Sequence, residues 1–113
     1  MRRVRCGPAP LMLTAALLCS ALVAGATERG GAVHTIVVEN MVYSPARLVV
    51  HRGDRVVWVN KDLFPHTASA GSAAFDSGSI AAGASWTFTA ARAGDYAYGC
   101  KFHPTMKGEL KVQ

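Results

Sequence analysis

Past its first two dozen residues the sequence has no long apolar run, and nowhere does it show an internal repeat, an interdomain linker or a sustained helical period. Those absences exclude a membrane-spanning bundle, a solenoid and a helical chain, and leave 113 residues for one ordinary domain. The single apolar run, Leu11 to Val23, is about 13 residues, short of the roughly 20 that a spanning helix needs. Arg2, Arg3 and Arg5 precede it and Ala24-Gly25-Ala26 follows, the layout of a secretory leader and not of an anchor. The expected organisation is a cleaved signal peptide over residues 1–26 and one domain over 27–113, with no membrane span in the mature form.

Charge of one sign is also scarce once the leader is gone. Nine basic residues then face seven acidic ones, a net charge of +2, so the high isoelectric point of the whole chain is no argument for nucleic acid binding. Cysteine is scarcer still, because Cys6 and Cys19 leave with the leader and only Cys100 remains. A disulfide within the domain is thereby excluded, and a lone thiol exported to an oxidising compartment is reactive unless something occupies it. A metal ion would occupy it.

What is present is a series of short strands. Val33 to Glu39, Arg47 to Val50 and Arg55 to Asn60 are β-branched and separated by turn chemistry at Ser44-Pro45 and Arg52-Gly53-Asp54. Ser85 to Ala90 alternates, with Trp86 and Phe88 on one face. Tyr96, Tyr98 and Cys100 share a face in the next strand, and Leu110 and Val112 alternate with charged residues in the last. The pattern predicts an all-β sandwich. Cys100 then points inward where a strand opens into a loop, and Cys100-Lys101-Phe102-His103-Pro104-Thr105-Met106 carries a thiolate, an imidazole and a thioether at three-residue steps. His66, on the Pro65-His66 loop, is the fourth candidate. Two His, one Cys and a weak Met form the donor set of a mononuclear blue-copper centre; zinc also accepts four ligands, but Met is an unusual one for it.

The runs Met41-Val42-Tyr43-Ser44-Pro45, Gly53 to Asn60, Pro65-His66, Phe75-Asp76-Ser77-Gly78 and Gly94 to Cys100, with His103, Met106 and Gly108, resemble the cupredoxins over nearly the whole mature chain. The short Cys-x-x-His-x-x-Met spacing is most similar to amicyanin and pseudoazurin. The resemblance implies an eight-stranded Greek-key β-sandwich, periplasmic, carrying one type 1 copper ion on His66, Cys100, His103 and Met106. It also implies a one-electron carrier and not an enzyme. Its partners would be redox proteins, namely a periplasmic dehydrogenase, a cytochrome c or a reductase, meeting it transiently around His103 and an apolar patch of Phe64, Pro65, Phe102 and Pro104. Lys61, Lys101 and Lys107 flank that patch, either to favour an acidic partner or merely to keep the rim soluble. The alternative function is copper handling, in delivery or protection, without electron transfer. A monomer is the default expectation.

Two positions depart from the family pattern. Thr67 stands where an Asn often ties the ligand loops together, and Phe102 stands where short-loop members often have Pro, so its N–H is expected to reach the Cys100 sulfur. Of the remaining chemistry-bearing residues, His34 and His51 are expected to face solvent. Trp58, Trp86, Tyr96 and Tyr98 are expected to be core, and Met41 to belong to a strand with packing side chains.

Overall fold

The computed structural model describes residues 7–10 and 31–113, so the signal peptide expected over 1–26 falls, apart from 7–10, outside the described residues. Among the described residues no helix is long and apolar enough to cross a membrane. Eight strands follow in chain order: β1 (Val33–Glu39), β2 (Val42–Ser44), β3 (Arg47–Val50), β4 (Arg55–Asn60), β5 (Ser69–Ala70), β6 (Ser85–Thr89), β7 (Gly94–Gly99) and β8 (Lys107–Val112). They form two four-stranded sheets, ordered β2-β1-β4-β6 and β3-β8-β7-β5. The pairs β1–β4 and β3–β8 are parallel and the others antiparallel, the long-connection pairing of a Greek-key sandwich. The predicted strands are all present; β5, only two residues long, carries no alternation that a sequence reading can detect.

Period-2 patterning places the core. Val56 and Trp58 on β4, Ile36 and Val38 on β1, and Leu110 and Val112 on β8 are buried between the sheets, while their neighbours in sequence point out. Trp58 is fully buried and packs against Trp86 at 5.5 Å and edge-on to Tyr98 at 5.4 Å between ring centroids. The four large aromatics expected in the core are there, with Trp86 and Tyr96 partly exposed at its margin.

Turns give the sandwich two different ends. At one, Asp54 accepts hydrogen bonds from the Ala32 amide, the His51 amide and the His34 ring, each at 2.9 Å, and so pins the start of β1 to the β3–β4 turn. His34 is therefore a partly buried hydrogen-bond partner of Asp54 and not simply solvent-facing; the partner lies 20 positions away, beyond any local pattern. His51 is solvent-facing as expected. At the other end, β1 turns into β2 through Asn40 and Met41, both at positive φ (54° and 63°), the two-residue turn that matches strand twist. Met41 thus sits in a turn and not in a strand. β4 and β7 run from the Asp54 end to this one, delivering the loops after Asn60 and Gly99 side by side.

Gly108 is required by close packing. It lies opposite Tyr98 in the β7–β8 register, and a Cβ there would overlap the Tyr98 ring and hydroxyl. Gly108→Ala is expected to destabilise the fold by about 1–3 kcal/mol, read as a lower urea midpoint; an unchanged midpoint would contradict this packing.

Candidate metal centre

His66 arrives on a loop that the buried Asn60 shapes. The Asn60 side-chain amide donates to the Phe64 and Ile80 carbonyls at 2.7 and 2.9 Å, and its oxygen accepts the Asp62 N–H at 2.9 Å. His66 itself bridges to Ile80 through both backbone groups and is completely buried. Asp62 then orients the ring: its Oδ2 lies 2.7 Å from His66 Nε2, while its carboxylate also accepts the Asn40 and Met41 amides at 2.7 and 3.1 Å. Partial burial opposes ionisation, but the donations from Met41, His66 and Asn40 outweigh it and hold Asp62 below its ordinary value. With Nε2 engaged by a carboxylate, Nδ1 is the ring atom left to face inward, the arrangement in which outer partners usually fix a metal-binding His.

Cys100 arrives at the end of β7, buried at 5% exposure. The loop after it is closed by its own backbone: the Cys100 N–H donates to the Met106 carbonyl at 3.3 Å, and the Met106 N–H to the His103 carbonyl at 2.9 Å. That tight ring leaves Met106 buried and His103 partly exposed. Thr67 joins the two loops. Its N–H donates to Cys100 Sγ at 3.3 Å and its Oγ1 accepts the Lys101 N–H at 2.9 Å, while its carbonyl accepts the buried Tyr43 hydroxyl at 2.6 Å. The Thr67 hydroxyl thus ties the two ligand loops together where an Asn would in many relatives. The hydrogen bond to sulfur comes from Thr67, whereas the Phe102 amide is a lesser contributor acting in the same sense.

His66, Cys100 and His103 come together with one donor atom each inside a 4.8 Å cluster. The two Nδ1 atoms are 3.1 Å apart, and each is 3.8 Å from Cys100 Sγ. A point equidistant from the three lies roughly 2 Å from each, the length of a metal–nitrogen bond in protein sites. Burial pushes the Cys100 thiol up, but the Thr67 amide, both imidazoles and the Phe102 amide outweigh it and hold it down at about 6. A thiolate with two imidazoles suits copper, and a buried thioether on the same loop adds a soft donor.

A match to the cupredoxin-like domain family runs over residues 10–112. The chain belongs to the cupredoxins. It is similar to amicyanin of Paracoccus denitrificans, 31% identical over 81 residues that cover 67% of this chain and 62% of that protein, less than two thirds of the relative's own length. In structure it is similar to a Cu(I) form of a methionine-to-alanine amicyanin variant, at 28% identity and a TM-score of 0.67 over 72% of this chain and 82% of that one. It is also similar to a copper-containing nitrite reductase from Thermus scotoductus, at 26% identity and a TM-score of 0.67 over 71% of this chain but only 22% of the enzyme. Copper is thus the metal that both the family and the donor set of this cupredoxin support.

The segments flanking His66 and the partly exposed His103 present several apolar side chains. Phe64 and Phe102 are exposed, as are Pro65 and Pro104, and Leu63, which sequence reasoning did not single out, is the most exposed large apolar residue at 89%. Sequence reasoning also missed Asp62; its signal was the four-residue spacing to His66, which only a fold makes meaningful.

Asp62→Ala releases His66 from its orienting carboxylate and is expected to weaken copper binding about 10–100-fold, measured by competition with a chromophoric chelator; equal affinity would remove Asp62 from the centre. In the copper-free protein the Cys100 thiol, ordinarily near 9.0, ionises at about 6 when folded. Folding thus releases a proton between those values. Copper-free stability should rise as pH climbs from 6 to 9 and be lost as pH falls through 6. A melting-temperature series in wild type and Cys100→Ser checks this: the variant should lose that slope, and equal slopes would contradict it.

Proposed function

We propose that this cupredoxin is a periplasmic electron carrier holding one type 1 copper ion on His66 Nδ1, Cys100 Sγ, His103 Nδ1 and the Met106 thioether. The observation that supports it most is that the three strongest donors converge within one 4.8 Å cluster, fixed by Asp62, Thr67 and the closed Cys100–Met106 loop. Copper bound there supplies a one-electron Cu(II)/Cu(I) couple, and donors that need not move between the two states favour rapid exchange. The four donors saturate the centre and leave no open position for substrate, which speaks for a carrier over an enzyme.

The protein's own groups set the exchange. Thr67 donates to the sulfur and withdraws electron density from it; Asp62 keeps the His66 ring in one orientation. His103, the more exposed of the two rings, offers the shortest way out to a partner, and the apolar surface of Leu63, Phe64, Pro65, Phe102 and Pro104 suits brief docking of a redox protein such as a dehydrogenase, a cytochrome c or a reductase. Export to the periplasm rests on the leader-like residues 1–26 and on the odd thiol that a metal would protect.

The visible spectrum of the copper-loaded processed protein tests this reading. An intense thiolate-to-copper band is expected, bleached by one electron per protein and restored by reoxidation, and absent in Cys100→Ser. A colourless protein that releases Cu(I) readily to a chelator would instead assign it to copper handling.

A further inference from the structure

The lysines around the apolar surface are not equivalent. Lys101 is paired with the Asp76 carboxylate, which also accepts the Ser69 hydroxyl and the Gly78 amide at 2.9 Å and is held at about 2, first by Lys101. Lys61, on the His66 loop, and Lys107, directly after Met106, are exposed and make no ion pair among the described residues. The acidic groups at this end are otherwise engaged. Asp62 is committed to His66 and two amides, and Glu109 pairs with Arg47, leaving Glu39, at the close of β1, as the one unpaired carboxylate at this end among the described residues.

We propose that the redox partner of this cupredoxin presents an acidic rim to Lys61 and Lys107, and that Asp76 masks a third recognition charge, on Lys101. The inference rests on the electron-carrier reading and adds to it the charge of the partner. Its physical basis is that unpaired rim charges act mainly on the rate of encounter, and a carboxylate paired to a lysine leaves only a dipole, whose field fades faster with distance than that of a free charge. A cationic partner is disfavoured by the same layout, because two free ammonium groups beside the apolar surface repel like charge.

The mask makes an unusual demand, since removing a structural ion pair should speed the reaction. The test is stopped-flow oxidation of the Cu(I)-loaded protein at low salt by two probes of opposite charge. In one, hexacyanoferrate(III) takes one electron and leaves Cu(II) protein and hexacyanoferrate(II); in the other, a cationic cobalt(III) tris-phenanthroline complex does the same. With the anionic probe, Lys61→Gln and Lys107→Gln should each slow the reaction about twofold to fivefold and Asp76→Asn should speed it by a similar factor. The order should reverse with the cationic probe, and all differences should shrink in high salt. Taking the ratio of the two probes cancels any change in the centre itself.

A second readout needs no copper chemistry. Redox-inert hexacyanocobaltate(III), titrated into copper-free protein, should shift the amide resonances of Lys61 and Lys107 in wild type, and those of Lys101 only in Asp76→Asn. Equal probe ratios in all variants, or slower reaction of Asp76→Asn with the anionic probe, would overturn the inference while leaving the carrier intact. Failure of both probes to take an electron would instead overturn the carrier reading on which it rests.

Discussion

A single amide, the N–H of Thr67, carries much of this centre. It donates to Cys100 Sγ from a loop that otherwise belongs to His66, so two segments 33 residues apart in sequence are held at one sulfur before any ion is considered. The bond is possible because Thr67 is fixed from behind by the Tyr43 hydroxyl and in front by the Lys101 amide. Buried hydrogen bonds to a thiolate are strong because no water competes for them, and they favour the ionised form that a metal requires. The lowered thiol follows in part from that constraint, while Asp62 orients the His66 ring and the Cys100–Met106 loop closes on its own backbone.

The sandwich makes the constraint affordable to build. β4 and β7 are paired to different neighbours in different sheets, yet both end at the same edge, so the loops they release need only short reach to meet. Asn60 spends every polar atom of its buried side chain on its own loop, which frees Asp62 to reach sideways to the β1–β2 turn and to His66. The far end, organised by Asp54, contributes no donor; it closes the fold. Division of labour between ends leaves His103 free to stand half exposed among apolar side chains without weakening the core.

Much of this was legible before the fold. Period-2 alternation in Ser85 to Ala90 and in Tyr96, Tyr98 and Cys100 marked the strands, and the three-residue steps after Cys100 marked the donors, because both signals are local. What stayed hidden was long-range. His34 finds Asp54 across 20 positions, the Asp62 carboxylate matters only once a loop brings it to a ring nitrogen, and the donor to sulfur proved to be the Thr67 backbone and not chiefly Phe102. Backbone donors leave no trace in side-chain identity. Met41 was misplaced for a different reason: a residue with β propensity was recruited into a two-residue turn whose positive φ is stabilised by two amide bonds to Asp62.

Hydrogen bonds within the protein, not the ion, set the positions of the donors. Crystal structures of the processed protein with and without copper test it most directly. His66 Nδ1, Cys100 Sγ and His103 Nδ1 are expected to superpose within about 0.5 Å in the two forms, with the Thr67 amide on the sulfur in both. Donors dispersed in the copper-free crystal and gathered only on loading would contradict it.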